Sequence, residues 1–237
     1  MLIYVDIETT GYEAEDKICS IGVLAFEEAH FIKALYELVN EGKKIPSLAS
    51  SVHNITNEMI ENRVPFKQSE IYNYLKEHNC EANTLIVHNA NLVLRGLASS
   101  GLKWYGKIID TQKVVKHHIS ECEIFTLEFL RYELKLYKNE EDLKKVCDLE
   151  FSFIPHHALS DAFMIKLLFD YLKEDEIDEE MMQDLSFKSV LLEKFPFGKY
   201  VGRYIEEIAI SERGYLEWLL SLENLDDDLR YSIEYYL

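Results

Sequence analysis

Residues 2–11, LIYVDIETTG, constrain this chain more than any other stretch. The apolar run from Leu2 to Val5 leads into Asp6, and Ile7 separates Asp6 from Glu8. A short continuous apolar run of this kind predicts a central strand buried on both faces. Side chains alternate along a strand, so Asp6 and Glu8 project to the same side, one pleat apart. Two carboxylates brought together at the end of a buried strand repel each other. A divalent cation offsets that repulsion, and oxygen-only ligands favour magnesium or manganese. A lone Asp-x-Glu more often marks only the place where a strand meets solvent, so the rest of the chain has to decide.

The 237 residues, 48% of them hydrophobic, suit one large domain or one domain with a small appendage. No apolar run is long enough to span a membrane, and the start of the chain lacks the features of a secretory leader. Cys19, Cys80, Cys122 and Cys147 form no C-x-x-C pair, and they read as reduced thiols of a cytoplasmic protein without a zinc site. The net charge of −18 argues against holding duplex phosphates by bulk positive charge. It leaves a nucleic-acid enzyme open, because metal ions can supply positive charge at the phosphate being cut.

Residues 17–26 and 31–39 are β-rich, and with the first strand they predict an antiparallel meander. Thr56 reads as a helix N-cap, and His53 as a loop histidine held by backbone hydrogen bonds. An amphipathic helix is expected over 66–78, a buried strand over 84–87, and a helix over 91–100 closed by Gly101. A strand follows at 107–109, then a helix capped by Asp110-Thr111 and running to about 119, and another helix over 125–136. A long helix is expected over 158–172. Strands first in a meander and later alternating with helices imply an α/β fold with a mixed sheet.

Residues 174–180 hold six acids in seven positions and read as a solvated boundary. Beyond it, Lys188, Lys194, Lys199 and Arg203 face Glu193 alone, and FPFGKYVG reads as a hairpin-like turn. Ser211 is expected to cap a helix carrying Tyr215, Trp218, Leu219 and Leu222 on one face, and 226–228 to open a last helix. A tail this small buries little core alone, so it is expected to pack on the main domain or on a partner.

The second chemical motif is His156-His157-Ala158-Leu159-Ser160-Asp161. On one continuous helix His156 and Asp161 would lie about 140° apart, at about 100° per residue. Both can serve one site only if Asp161 is on the helix and His156 on the loop before it. A loop histidine can take a proton from water near neutral pH.

DIETTG, VHNIT-x-EM, HNA and H-x-A-L-x-D, in this order, resemble the DnaQ-like DEDDh 3′–5′ exonucleases over residues 1–173. The tail, with FPFGKYVGR and GYLEWLL, is similar to the small C-terminal module of exonuclease X-like proteins. The resemblance implies an RNase H-like fold with a five-stranded mixed sheet flanked by helices and a small, mostly helical C-terminal module. The implied domains are 1–173, an acidic linker at 174–184, and 185–237. It implies two-metal hydrolysis at a 3′ end, with two Mg2+ or Mn2+ ions. Asp6, Glu8 and Asp161 would hold the ion that activates water, Asp6 would bridge to the second ion, and His156 would be the base. Thr9 and Thr10 would approach the terminal nucleotide through their backbone, Tyr12 could stack on a base, and His88 and Asn89 complete the substrate contacts.

One position departs from the family. The pattern H-N-A-x-F-D reads His88-Asn89-Ala90-Asn91-Leu92-Val93 here, so Val93 stands in place of the fourth carboxylate, which supports the second ion. The expectation is a metal-dependent exonuclease acting on single-stranded or frayed DNA 3′ ends, with its second ion weakened. The rival readings are a catalytically inactive 3′-end-binding module of the same fold, and a ribonuclease acting on RNA. A protein partner for the C-terminal module is a further expectation.

Overall fold

The computed structural model describes residues 1–119, 122, 124–150, 152–222 and 225–237. The chain forms two compact units. The first comprises Met1–Val115 and Ile124–Ser186, the second Lys116–Glu123 and Phe187–Leu237.

The first unit is built on five strands: β1 Leu2–Thr9, β2 Ile18–Glu27, β3 His30–Leu38, β4 Thr84–Val87 and β5 Lys107–Asp110. Their order in the sheet is β3-β2-β1-β4-β5. β1 runs antiparallel to β2 and β2 to β3, whereas β4 runs parallel to β1 and β5 parallel to β4. The strand carrying Asp6 and Glu8 is therefore the central one, as its unbroken apolar run requires.

Alternation along β1 sends Ile3, Val5 and Ile7 to one face, into a cluster with Ile71, Leu75, Val93 and Leu97. Helices Glu70–Glu77 and Ala90–Ser99 supply those partners. Tyr4 points the other way, edge-on to Phe26 at 6.1 Å and to Phe169 at 5.7 Å between ring centroids. Helix Ala158–Glu174 covers that face, and its Ala158, Ala162, Ile165, Phe169 and Leu172 are all buried. Burying each large apolar side chain contributes roughly 1.5–3 kcal/mol, which is why this helix forms despite its β-branched and aromatic residues.

Several boundaries differ from the sequence expectations. The helix expected over 66–78 is broken at Ser69, whose extended backbone ends a 3-10 turn and whose hydroxyl accepts the Tyr72 N–H to start helix Glu70–Glu77. Helices Ser47–His53 and Glu140–Cys147 had not been anticipated. The acidic stretch 174–184, expected as a linker, is corrected: Ile177 and Met182 are buried, and helix Glu179–Ser186 packs against β5. One apolar side chain per turn is enough to anchor such a segment while its acids face solvent, and the division between units falls after Ser186.

The second unit has its own core of Phe195, Tyr200, Ile205, Ile208, Leu216, Leu219, Leu225, Leu229 and Ile233. Helices Ile205–Ser211, Arg213–Leu220 and Asp227–Tyr236 enclose it. The turn over 195–203 is closed by Phe195 N–H to Arg203 carbonyl at 2.9 Å and Gly202 N–H to Phe195 carbonyl at 2.8 Å. Gly198 and Gly202 there take φ of 83° and 77°, a region that favours glycine. Ser211 ends a helix instead of capping one, and its hydroxyl donates to the Glu207 carbonyl. Trp218 is exposed, and Leu216 takes its expected place in the core beside Leu219. Asp228, fully buried, accepts the Val190 N–H at 2.9 Å and lies 3.3 Å from Lys116 Nζ. No described helix is long and apolar enough to cross a membrane.

Candidate active site

Three strands and one helix assemble the site. In register across the sheet, Asp6 on β1 pairs with Gly22 on β2, and Gly22 pairs with Tyr36 on β3. The chain entering helix Ala158–Glu174 is laid over this row. The His157 ring stacks on Tyr36 with centroids 4.1 Å apart, and its side chain accepts the Ser160 N–H. Gly22 lets the helix backbone settle on the sheet, since a Cβ there would lie 2.3 Å from Ala158 C and from Leu159 N. Asp161, one turn further on, arrives beside Asp6.

Carboxylate oxygens of Asp6, Glu8 and Asp161 all lie within 4.8 Å of one another. Burial raises the proton affinity of all three, and their mutual repulsion adds to it. Glu8 is pushed up to about 9, by burial first and then by the charges of Asp161 and Glu128. Asp161 is likewise pushed up to about 9, by burial, Asp6 and Glu128. Asp6 is held well above the usual carboxylate range by burial and Glu8. Asp161 Oδ1 is buried and has no hydrogen-bond partner. A buried unpartnered oxygen within an all-carboxylate cluster is what a hard divalent cation satisfies, so the residues present fit such an ion.

A cleft of about 550 Å3 opens over the cluster. Thr9, Thr10, Tyr12, His88, Asn89 and His156 line it, together with Asp6, Glu8 and Asp161. Their chemistry there is not what was expected in each case. His88 was expected to touch substrate, but its ring is committed to the fold. Nε2 donates to the Phe125 carbonyl at 2.6 Å, and Nδ1 lies 2.9 Å from Thr111 Oγ1. Thr10 donates its backbone N–H to the Lys17 carbonyl at 2.9 Å and its hydroxyl to Asp16 at 2.6 Å, so its N–H is not available to a nucleotide. Tyr12 is 74% exposed, and Arg95 fixes its backbone by donating to its carbonyl at 2.7 Å. Asn89 has φ of 76° and caps helix Ala90–Ser99 by accepting the Leu92 N–H.

His156 also has a left-handed backbone, with φ of 58°, and its side chain is 44% exposed. Strained backbone of this kind is often kept where a side chain has a task. Its Nε2 lies 3.6 Å from Glu128 Oε1. Glu128 was not foreseen. It sits in the first turn of helix Leu127–Glu133, capped by Thr126, and an acid there is too ordinary to stand out in a sequence. His53 ends helix Ser47–His53 instead of lying in a loop, but it is held by backbone as expected: Nδ1 accepts the Ile55 N–H at 3.0 Å, and burial lowers its proton affinity.

Val93 does not line the cleft. It is 1% exposed and belongs to the apolar cluster on the Ile7 face, while Leu92 and Asn89 line the opening. Asp110 cannot stand in for the missing acid, because its carboxylate accepts four backbone N–H groups, from Asn89, Ala90, Gln112 and Lys113. It thereby caps two helices at once.

The exonuclease family of the RNase T type has a sequence model that matches residues 3–169. Exodeoxyribonuclease 10 of Escherichia coli K12 is 26% identical, over 100% of this chain and 99% of its own length. The DNA polymerase III subunit epsilon of Treponema pallidum is 27% identical over 65% of this chain and 76% of its own. Among solved structures, exonuclease X in complex with 5′ overhanging duplex DNA superimposes with a TM-score of 0.54 and 21% identity, covering 78% of this chain and 99% of that one.

Proposed function

The chain belongs to the RNase T-type exonuclease family, and from that premise we propose that it is a divalent-metal-dependent 3′–5′ exonuclease releasing nucleotides from single-stranded or frayed DNA 3′ ends. The observation that carries this reading is the convergence of Asp6, Glu8 and Asp161 within 4.8 Å, with Asp161 Oδ1 unpartnered at the floor of a cleft. The likeness along its whole length to an exodeoxyribonuclease favours DNA over RNA.

Asp6, Glu8 and Asp161 would hold the divalent ion, Mg2+ or Mn2+, and Asp6 would be shared with a second. Bound ions of this class lower the pKa of water and neutralise the charge of the phosphate under attack. His156 takes the proton from the attacking water, imidazole being the side chain that exchanges protons near neutral pH. Thr9 and Asn89 border the space of the terminal nucleotide, and Tyr12 offers an exposed ring on which a base can stack. With Val93 turned into the core, position 93 contributes no carboxylate, so any support for the second ion has to come from elsewhere in the cleft. Lys194, Lys199 and Arg203 of the second unit are assigned a supporting contact to the nucleic-acid backbone, tempered by the pairing of Arg203 with Glu207.

The test is cleavage of end-labelled single-stranded DNA, frayed duplex and RNA of one sequence, with Mg2+, with Mn2+ and with EDTA. Stepwise shortening of DNA from its 3′ end, abolished by EDTA, is expected. Binding without shortening in every metal condition would establish the inactive module instead, and preferential shortening of RNA the ribonuclease.

A further inference from the structure

Besides the convergent three, the acids lining the cleft are Glu13, Asp16 and Glu128. Asp16 is engaged: it pairs with Lys43 at 2.7 Å and accepts from Thr10 and the Glu13 N–H. Glu13 lies exposed in the turn after β1. Glu128 is different. Its side chain is only 31% exposed, it stands 3.6 Å from the His156 ring, and its charge bears on Asp6, Glu8 and Asp161 alike. It comes from the first turn of helix Leu127–Glu133.

We propose that Glu128 is the carboxylate that supports the second divalent ion in this chain, entering the cleft from helix Leu127–Glu133. The proposal rests on the metal-dependent reading above. Glu128 lies outside the group of Asp6, Glu8 and Asp161, whose oxygens are within 4.8 Å of one another, so it acts on the second ion and not within the first cage. Four carboxylates match the charge of two divalent ions in the substrate-free protein, and three do not. The buried, unpartnered Asp161 Oδ1 shows independently that the cluster is shaped for a ligand. A carboxylate holding an ion through its water shell typically contributes 10- to 100-fold in affinity.

The experiment is Mn2+ binding to the full chain without nucleic acid, followed by calorimetry and by the paramagnetic signal of free Mn2+. Wild type should take up two ions. Glu128→Gln should keep the first ion and bind the second about 10- to 100-fold more weakly. Glu128→Asp, which keeps the charge on a shorter arm, should fall between, and it carries the test alone if Glu128→Gln does not fold. Equal melting temperatures in EDTA would show that both folds are intact. Two ions bound to Glu128→Gln as tightly as to wild type would overturn the proposal, as would a single ion on wild type. A variant altered only in the pH profile of cleavage would also overturn it, because Glu128 would then act on His156. Wild type binding no ion would instead overturn the metal-dependent reading itself, so the two failures are distinct.

Discussion

Gly22 faces Asp6 across the β1–β2 register, and the helix backbone at Ala158 and Leu159 comes down onto it. A methyl group at Gly22 would meet Ala158 and Leu159 backbone at 2.3 Å, with no flexible side chain to give way. Gly22→Ala should therefore lift the start of helix Ala158–Glu174 and carry Asp161 away from Asp6. Overpacking of this kind costs about 1–3 kcal/mol. The expected outcome is a melting temperature lowered by several degrees and a loss of Mn2+ affinity larger than the loss of stability implies. Unchanged Mn2+ binding in Gly22→Ala would show that the close approach does not position Asp161.

The pH response of the metal-free protein follows from the same cluster. Glu8 and Asp161 keep their protons up to about 9 in the fold, whereas the unfolded chain releases them near pH 4. The folded state thus holds more protons than the unfolded state across that window, and its stability must fall as pH rises through it. Thermal melts in EDTA should show a decline from pH 5 to pH 9. Mn2+ should restore more stability at pH 8 than at pH 5.5, because binding displaces the protons. A metal-induced shift independent of pH would mean that the carboxylates are already ionised.

His156→Ala should lower kcat by about 10²- to 10⁴-fold with KM nearly unchanged, as for a residue acting on the proton in the transition state. Steady-state kinetics on a short labelled oligonucleotide distinguish this from a binding role, which would raise KM in proportion.

Val93→Asp places a carboxylate among apolar side chains, next to no partner of opposite charge in that cluster. The variant should be less stable than wild type in EDTA, by an amount typical of a buried polar group without a partner, about 1–3 kcal/mol. If the new carboxylate reaches the cleft, Mn2+ should recover that loss and half-maximal activity should need less metal. Stability that Mn2+ leaves unrecovered would show that position 93 faces only the core.

The central strand and its paired acids were legible because each is written in local pattern, an apolar run and an alternation, whereas the five-stranded sheet came with the family resemblance. Asp161 was legible through its short motif with His156. What could not be read is what depends on three-dimensional approach. Glu128 lies more than a hundred residues from Glu8 in sequence, in an ordinary helical turn, and nothing in its neighbours marks it. His88 carries a motif yet serves the fold, because only the structure shows Thr111 and the Phe125 carbonyl waiting at its two nitrogens. Gly22 did leave a trace. A glycine inside an otherwise apolar strand signals close approach of another backbone. The helix at Glu140–Cys147 left one too, in the acids of its first turn and the lysines of its last.

The second unit takes residues from two places in the chain, Lys116–Glu123 and Phe187–Leu237. Lys116 lies beside the buried Asp228, at 3.3 Å, so the earlier segment supplies the counter-charge for an acid in the later one. Removing the residues after Ser186 would leave Lys116 without this acid, and replacing Lys116 would take away the cation that Asp228 faces at 3.3 Å. The two segments therefore depend on each other for this charge pair. A change in either segment is therefore felt in the core of the other.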